Sequence, residues 1–292
     1  MKVAIFGNVN REEVAIYSAK LIYELGKRNV AITCEPYFLE FLDRNGVNTQ
    51  DITTFAENKE IDADVAFSVG GDGTFIRSVA KIARREIPLL GINAGRLGFL
   101  ADVDGEKEIV KAVEAIASGN YKVEDRPLLK LSTDGKRFSK FNYAINEIAI
   151  LKQDTSSMIA INTYINGEFV TKYQADGLII ATATGSTAYA MSVGGPIVVP
   201  QASNFIITPV APHSLSIRPL VVTDDCLMEL SVESRNGQFL ISLDGRCEVF
   251  PEDIRLKVRK ADFCMKTIHL HNHSFYTTIR EKLMWGTDQR KY

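Results

Sequence analysis

The 292-residue chain is long enough for one large domain or two ordinary ones, and 46% hydrophobic with 24% charged residues is a globular composition. A formal net charge of −2 gives no overall attraction for nucleic acid or an anionic membrane surface, and no apolar run has the length of a membrane span. Cys34, Cys226, Cys247 and Cys264 fall without close pairs, which points away from a disulfide framework or a zinc site and towards a cytoplasmic protein.

Strands and helices alternate through the first hundred residues. Val3–Phe6 reads as a strand, Arg11–Lys27 as an amphipathic helix, Val30–Cys34 as a strand and Pro36–Arg44 as a helix. Val65–Val69 is a further apolar strand, followed by a helix over Phe75–Arg85 and a strand over Pro88–Asn93. Short apolar runs between helices predict a parallel, doubly wound sheet, whose ligands bind outside the carboxyl ends of the strands. Glu106–Ser118 reads as a helix joining two halves.

From about Arg126 the texture changes. Leu128–Ser132, Asn142–Leu151, Ile159–Ile165, Glu168–Gln174 and Gly177–Thr182 read as strands. Asp134-Gly135, Asn166-Gly167, Asn236-Gly237 and Asp244-Gly245 are hairpin formers, because both residues tolerate positive φ. The expectation is an N-terminal α/β nucleotide-binding domain over 1–122 and a mainly-β, sandwich-like domain over 123–267, with the site in the cleft between them. Phe275–Leu283 again reads as a helix, and 268–292 is expected to pack back on the first domain.

Gly70-Gly71-Asp72-Gly73-Thr74 closes the strand Val65–Val69. Glycines let an anion approach backbone N–H groups, and a carboxylate beside a phosphate needs a bridging cation or a proton to remove. Gly70, Gly71 and Gly73 therefore form a candidate phosphate loop, with Asp72 as base or metal-linked acid. The alternative is a tight turn in which Asp72 caps the next helix. No Gly-Lys-Ser/Thr follows, and Ile76 stands where a dinucleotide fingerprint needs glycine.

Thr182–Tyr189 groups four hydroxyl residues around Gly185 and ends on Tyr189, a flat face for a base; the alternative is a serine/threonine-rich turn capping a short helix over Ala188–Val193. Asn146-Glu147 interrupts an apolar strand and must be paired or line a pocket, its two side chains on opposite faces. His269, His271 and His273 alternate along an extended segment, but no neighbouring acid or cysteine completes a metal site. His213 reads as a hydrogen-bonded loop residue.

Together the GGDG turn, the Asn-Glu pair and the Asp176–Tyr189 block resemble the NAD kinase family, as do Gly91–Leu100 and His213–Pro219. The resemblance spans roughly residues 1–280. It implies ATP-dependent phosphorylation of the adenosine ribose 2′-hydroxyl of NAD, with Mg²⁺ or another divalent cation accompanying ATP. It implies that Asp72 takes the hydroxyl proton, with Gly73, Phe75 and Arg77 nearby. Asn146, Glu147 and Asp176 would hold the dinucleotide, Thr184, Thr187, Ala188, Tyr189 and Ser192 would line its pocket, and Ala211 would add a contact from a neighbouring subunit of a homodimer or homotetramer. One departure is visible: the family usually has proline where Ala183 stands. The rivals are a GGDG kinase acting on a lipid or sugar, and a dinucleotide sensor without turnover.

Overall fold

Apolar strands alternate with amphipathic helices through the first 120 residues. The computed structural model describes all residues except 56–60, 95–97, 140, 155–156, 271–273 and 287–292. The chain folds as two units: one comprises residues 1–125 and the chain from Met265 onward, the other Arg126–Cys264.

In the first unit the elements are β1 (Lys2–Gly7), α1 (Glu12–Gly26), β2 (Ala31–Cys34), α2 (Pro36–Arg44), β3 (Ile52–Thr54), β4 (Val65–Gly70), α3 (Asp72–Ile82), β5 (Leu89–Asn93), β6 (Val103–Asp104) and α4 (Glu106–Ser118). The short strands β3 and β6 have too few apolar residues to announce themselves. The sheet is parallel in the order β3-β2-β1-β4-β5, and β6 adds beside Ile92 and Asn93 of β5. β1 has β2 on one side and β4 on the other, so the strand order reverses between β1 and β4. That is the switch point at which a doubly wound sheet opens a crevice. Val3, Ile5, Phe67, Val69 and Ile92 pack there with Val14, Leu21 and Leu25 of α1 and Ile109 and Val113 of α4.

The second unit is built from β7 (Lys122–Thr133), β8 (Tyr143–Ala144), β9 (Glu147–Lys152), β10 (Ile159–Ile165), β11 (Glu168–Ala175), β12 (Gly177–Thr182), α5 (Tyr189–Ser192), β13 (Asn204–Val210), β14 (Leu220–Thr223), β15 (Met228–Glu233), β16 (Gln238–Leu243), β17 (Arg246–Pro251) and β18 (Arg255–His269). The chain enters this unit along β7 and leaves it along β18; α6 (Phe275–Leu283) then belongs to the first unit. One antiparallel layer runs β14-β13-β12-β9-β16-β17, the other β11-β10-β15-β18. Alternation makes the sandwich. Ile148, Ile150, Leu178 and Ile180 share one core with Ile161, Leu230 and Leu256. Ala149, Ile179 and Ala181 face the other way, where Ala190 covers them, so β12 is buried on both faces.

Three local expectations change. Asn166-Gly167 and Asp244-Gly245 make tight hairpins, both residues at positive φ. Asn236-Gly237 instead joins β15 to β16, which lie in different sheets, and Asp134-Gly135 opens a longer loop between β7 and β8. The strand over 142–151 is broken into β8 and β9. The short helix over Ala188–Val193 is present as the single turn α5, preceded by a 3₁₀ turn over Thr184–Thr187. Among the described residues no helix is long and apolar enough to cross a membrane.

Candidate functional site

In the first unit the glycine turn lies at the switch point. Helix α3 begins at Asp72, three residues earlier than the apolar periodicity indicates, with Gly71 as N-cap. Asp72 is therefore not a cap. Its carboxylate turns away from its own helix and accepts N–H bonds from Phe99 at 2.8 Å and Leu100 at 3.2 Å. A Cβ on Gly98 would overlap Asp72 Oδ1, so only glycine lets the chain pass this close. Burial pushes the Asp72 carboxyl above its ordinary range, opposed by those two amides and by the Lys282 ammonium.

The three loop glycines have different reasons to be glycine. A Cβ on Gly70 would strike Thr74 Oγ1 at 2.5 Å, so packing demands it. Gly71 would meet nothing within 4 Å, and Gly73 only the Arg77 guanidinium at 3.9 Å. Packing does not require these two, and they leave open backbone beside Asp72. Phe75 is buried, so the ring anchors the turn, while Arg77 is exposed and reaches Thr74 Oγ1 at 3.2 Å.

In the second unit Asn146 lies in the break between β8 and β9, not within a strand. Asp244 of the β16–β17 turn makes that break. Its fully buried carboxylate accepts from the N–H groups of Ile145 at 2.8 Å, Asn146 at 2.8 Å and Glu147 at 3.1 Å. The Thr182 hydroxyl donates to Ile145 O at 2.6 Å and accepts from Gly185 N at 3.0 Å, tying the hydroxyl-rich loop to the Asn-Glu segment. A Cβ on Gly185 would overlap the Asn146 carbonyl. Thr184, Thr187, Ala188 and Tyr189 thus lie beside Asn146 and Glu147.

Burial first, then the charge on Asp244, push Glu147 up to about 7, against an N–H bond from Tyr189. Glu147 Oε2 and Thr184 Oγ1 are buried without a hydrogen-bond partner. Unmet polar atoms of this kind are costly and mark a place where a ligand or water belongs. Tyr189 and Ser192 are exposed, and Ser186 is tied to Val198 at 3.0 Å. Asp176 and Ala211 stand together at the other end of β12, where Asp176 N–H bonds Val210 O at 2.9 Å and the carboxylate pairs with Lys152 at 2.7 Å. Ala211 holds a φ of 45°, a left-handed conformation that a non-glycine residue adopts only under constraint.

His213 donates its backbone N–H to Gln174 O at 2.9 Å, as a loop residue does. His269 pairs with Asp102 at 2.5 Å and Glu124 at 3.4 Å on opposite ring nitrogens; His271 and His273 lie outside the described residues. Among the described residues no group of three or more His, Cys, Asp or Glu is placed to hold a metal ion. Sequence reasoning missed Asp244, treated only as a turn former, and Gly98, whose closeness to Asp72 depends on tertiary contact.

Residues 3–121 match the ATP-NAD kinase N-terminal domain, and residues 145–270 the ATP-NAD kinase C-terminal domain. The chain belongs to the NAD kinase family. The NAD kinase of Bacteroides fragilis is 48% identical over 291 residues, 99% of this chain and all of that protein. The NAD kinase of Cytophaga hutchinsonii is 44% identical over 292 residues, with the same coverage of 99% and 100%. The crystal structure of yeast NADH kinase complexed with NADH is similar with a TM-score of 0.87 at 25% identity, covering 99% of this chain and 89% of that one. An NAD kinase from Archaeoglobus fulgidus in complex with ATP is similar with a TM-score of 0.73 at 27% identity, covering 97% and 99%. Both NAD kinase domains are thus present.

Proposed function

We propose that the chain transfers the γ-phosphoryl group of ATP to the adenosine ribose 2′-hydroxyl of NAD, giving NADP. The observation that carries this is the open backbone of Gly71 and Gly73 on either side of a half-buried, upshifted carboxylate at the sheet's switch point. Phosphoryl transfer is mostly positioning and charge neutralisation, so it calls for N–H donors, a cation and a base for the attacking hydroxyl. The divalent cation enters with ATP as part of that substrate. Asp72 is the base, and an upshifted pKa suits it, because a base is most effective when its pKa approaches the working pH.

Asn146 and Glu147 hold the dinucleotide, with the unpartnered Glu147 Oε2 and Thr184 Oγ1 as acceptor and donor for its hydroxyls. Thr187, Ala188, Tyr189 and Ser192 line the pocket, and Arg77 adds positive charge beside the phosphate loop. Asp176 and Ala211 lie a strand's length, roughly 20 Å, along β12 from Thr184. We also infer a homodimer or homotetramer, in which Ala211 of a neighbouring subunit adds a contact to the dinucleotide. We place the enzyme in the cytoplasm. Full-length likeness to NAD kinases gives no support to a lipid or sugar substrate.

Incubation with NAD, ATP and Mg²⁺ is expected to yield NADP, read by an NADP-specific dehydrogenase. No NADP, but a phosphorylated diacylglycerol, would replace this reading with the lipid-kinase one. Tight NAD binding without product would make the protein a sensor.

A further inference from the structure

We infer that the C-terminal segment positions the catalytic carboxylate: Lys282, through the carbonyl of Gly98, and His269, through Asp102, hold the stretch 98–102 whose amides fix Asp72. This rests on the reading of Asp72 as the base. Both Asp72 oxygens are taken by backbone N–H groups, from Phe99 at 2.8 Å and Leu100 at 3.2 Å. Those donors sit in residues 98–102, which form no strand or helix. Among the described residues three contacts hold them. Ala101 packs on Gly91 of β5, with no room for a Cβ there. Asp102 pairs with His269 Nδ1 at 2.5 Å, at the end of β18. The Lys282 ammonium, in the last turn of α6, donates to Gly98 O.

Apolar contact holds α6 only in part. Thr278 is its one buried residue and Phe275, Ile279 and Leu283 are half-buried, while Tyr276, and Trp285 just beyond it, are 62% and 60% exposed. Its Ser274 cap, accepting from Thr277 N at 3.2 Å, secures the helix itself and not its attachment. The tie to Gly98 is polar and ends one residue from the first amide that binds Asp72. Lys282 also acts on the acid through space, favouring its charged form. Arg77, a turn further along α3, is directed to Thr74 instead. Lys282 is thus a positioning residue with two effects: it sets the donors in place and favours the charged form of the carboxylate.

The test is Lys282→Met in the full-length protein, with Lys282→Arg as the conservative control. For Lys282→Met, kcat is expected to fall about tenfold, less than the roughly 10²-fold that a 1 Å misplacement of a reacting group can cost. KM for NAD should stay near wild type, and the acidic limb of the kcat profile should move to higher pH. Lys282→Arg should restore both. In parallel, ¹³C-carboxyl NMR, with Asp72→Asn used to assign the signal, should show Asp72 titrating at higher pH in Lys282→Met. A wild-type pH profile and an unmoved Asp72 titration in the folded variant would overturn the inference. If the wild-type protein makes no NADP, the proposed reaction fails, and the NMR titration still decides whether Lys282 governs Asp72. Should Lys282→Met not fold, Lys282→Gln, which keeps a donor and drops the charge, replaces it in both measurements.

Discussion

Asp72 in the first unit and Glu147 in the second are both acids that burial pushes upwards, yet their oxygens are used differently. Asp72 has each oxygen on a backbone amide, so its place is fixed before any ligand arrives. Glu147 takes one amide, from Tyr189, and leaves Oε2 buried and unmet. The neighbouring amides of Ile145, Asn146 and Glu147 go in succession to Asp244. Burial alone therefore does not tell a base from a binding group. What tells them apart is how much hydrogen-bonding capacity the fold has already used, and an acid left with spare capacity is one that waits for a ligand.

The largest expected effect comes from removing the fixed acid. On the proposed reading Asp72→Asn keeps the shape and the NAD site but loses the proton acceptor, so kcat should fall about 10²–10⁴-fold, with NAD affinity by calorimetry little changed. Equal losses in kcat and NAD affinity would make Asp72 a binding group and erase the contrast with Glu147.

The second test concerns the acid that organises without reacting. Asp244→Ala strands the N–H groups of Ile145, Asn146 and Glu147, each costing about 1–3 kcal/mol when buried and unpaired, so a loss of roughly 3 kcal/mol or more is expected in urea unfolding. Asp244→Asn keeps an acceptor but removes the charge that helps raise Glu147. The Glu147 carboxyl should then titrate below about 7, read by ¹³C NMR. A stable Asp244→Ala protein would show that the break at Asn146 needs no acid to hold it.

Glu147 itself carries a pH signature. Its pKa goes from an ordinary 4.5 to about 7 on folding, so between those values the native state holds more protons than the unfolded one. Stability should then fall as pH rises through that window and level off above it. The loss is up to about 3 kcal/mol by the usual 1.36 kcal/mol per pKa unit. Glu147→Gln should flatten the slope in thermal unfolding between pH 4.5 and 7. An unchanged slope would assign the titration to another group.

The sequence displayed the architecture well because periodicity carries it: Pro36–Arg44, Glu106–Ser118, Ile159–Ile165 and Gly177–Thr182 have the same bounds in sequence and structure. It also displayed the glycine loop and the hydroxyl-rich loop, because glycines and hydroxyls cluster visibly. The supports were not legible. Phe99 and Leu100 serve Asp72 through their backbones, so their side chains give no sign. Asp244 carries the residues of a good turn, and the turn accounts for it until its three amides are seen. Asn146 reads as part of a strand because its neighbours Tyr143–Ile145 and Ile148–Leu151 are apolar. Only the tertiary bonds from Asp244 and Thr182 break the ladder there.

The smallest effect lies at Ala183, where the family usually carries proline. Its backbone stands at φ −57° and ψ −38°, within the range a pyrrolidine ring imposes. Thr182 before it ends strand β12, the extended conformation that a following proline prefers. The hydroxyl-rich loop thus already has the shape that proline would enforce, held by Thr182 Oγ1 on Ile145 O and Gly185 N. Ala183→Pro should then act chiefly on the unfolded chain, raising stability by about 0.4–1 kcal/mol in urea unfolding. Turnover should not change, because the loop gains no new conformation. A drop in stability would show that the fully buried site has no room for the ring, and that its tie to the Asn146–Glu147 segment does the work proline does elsewhere in the family.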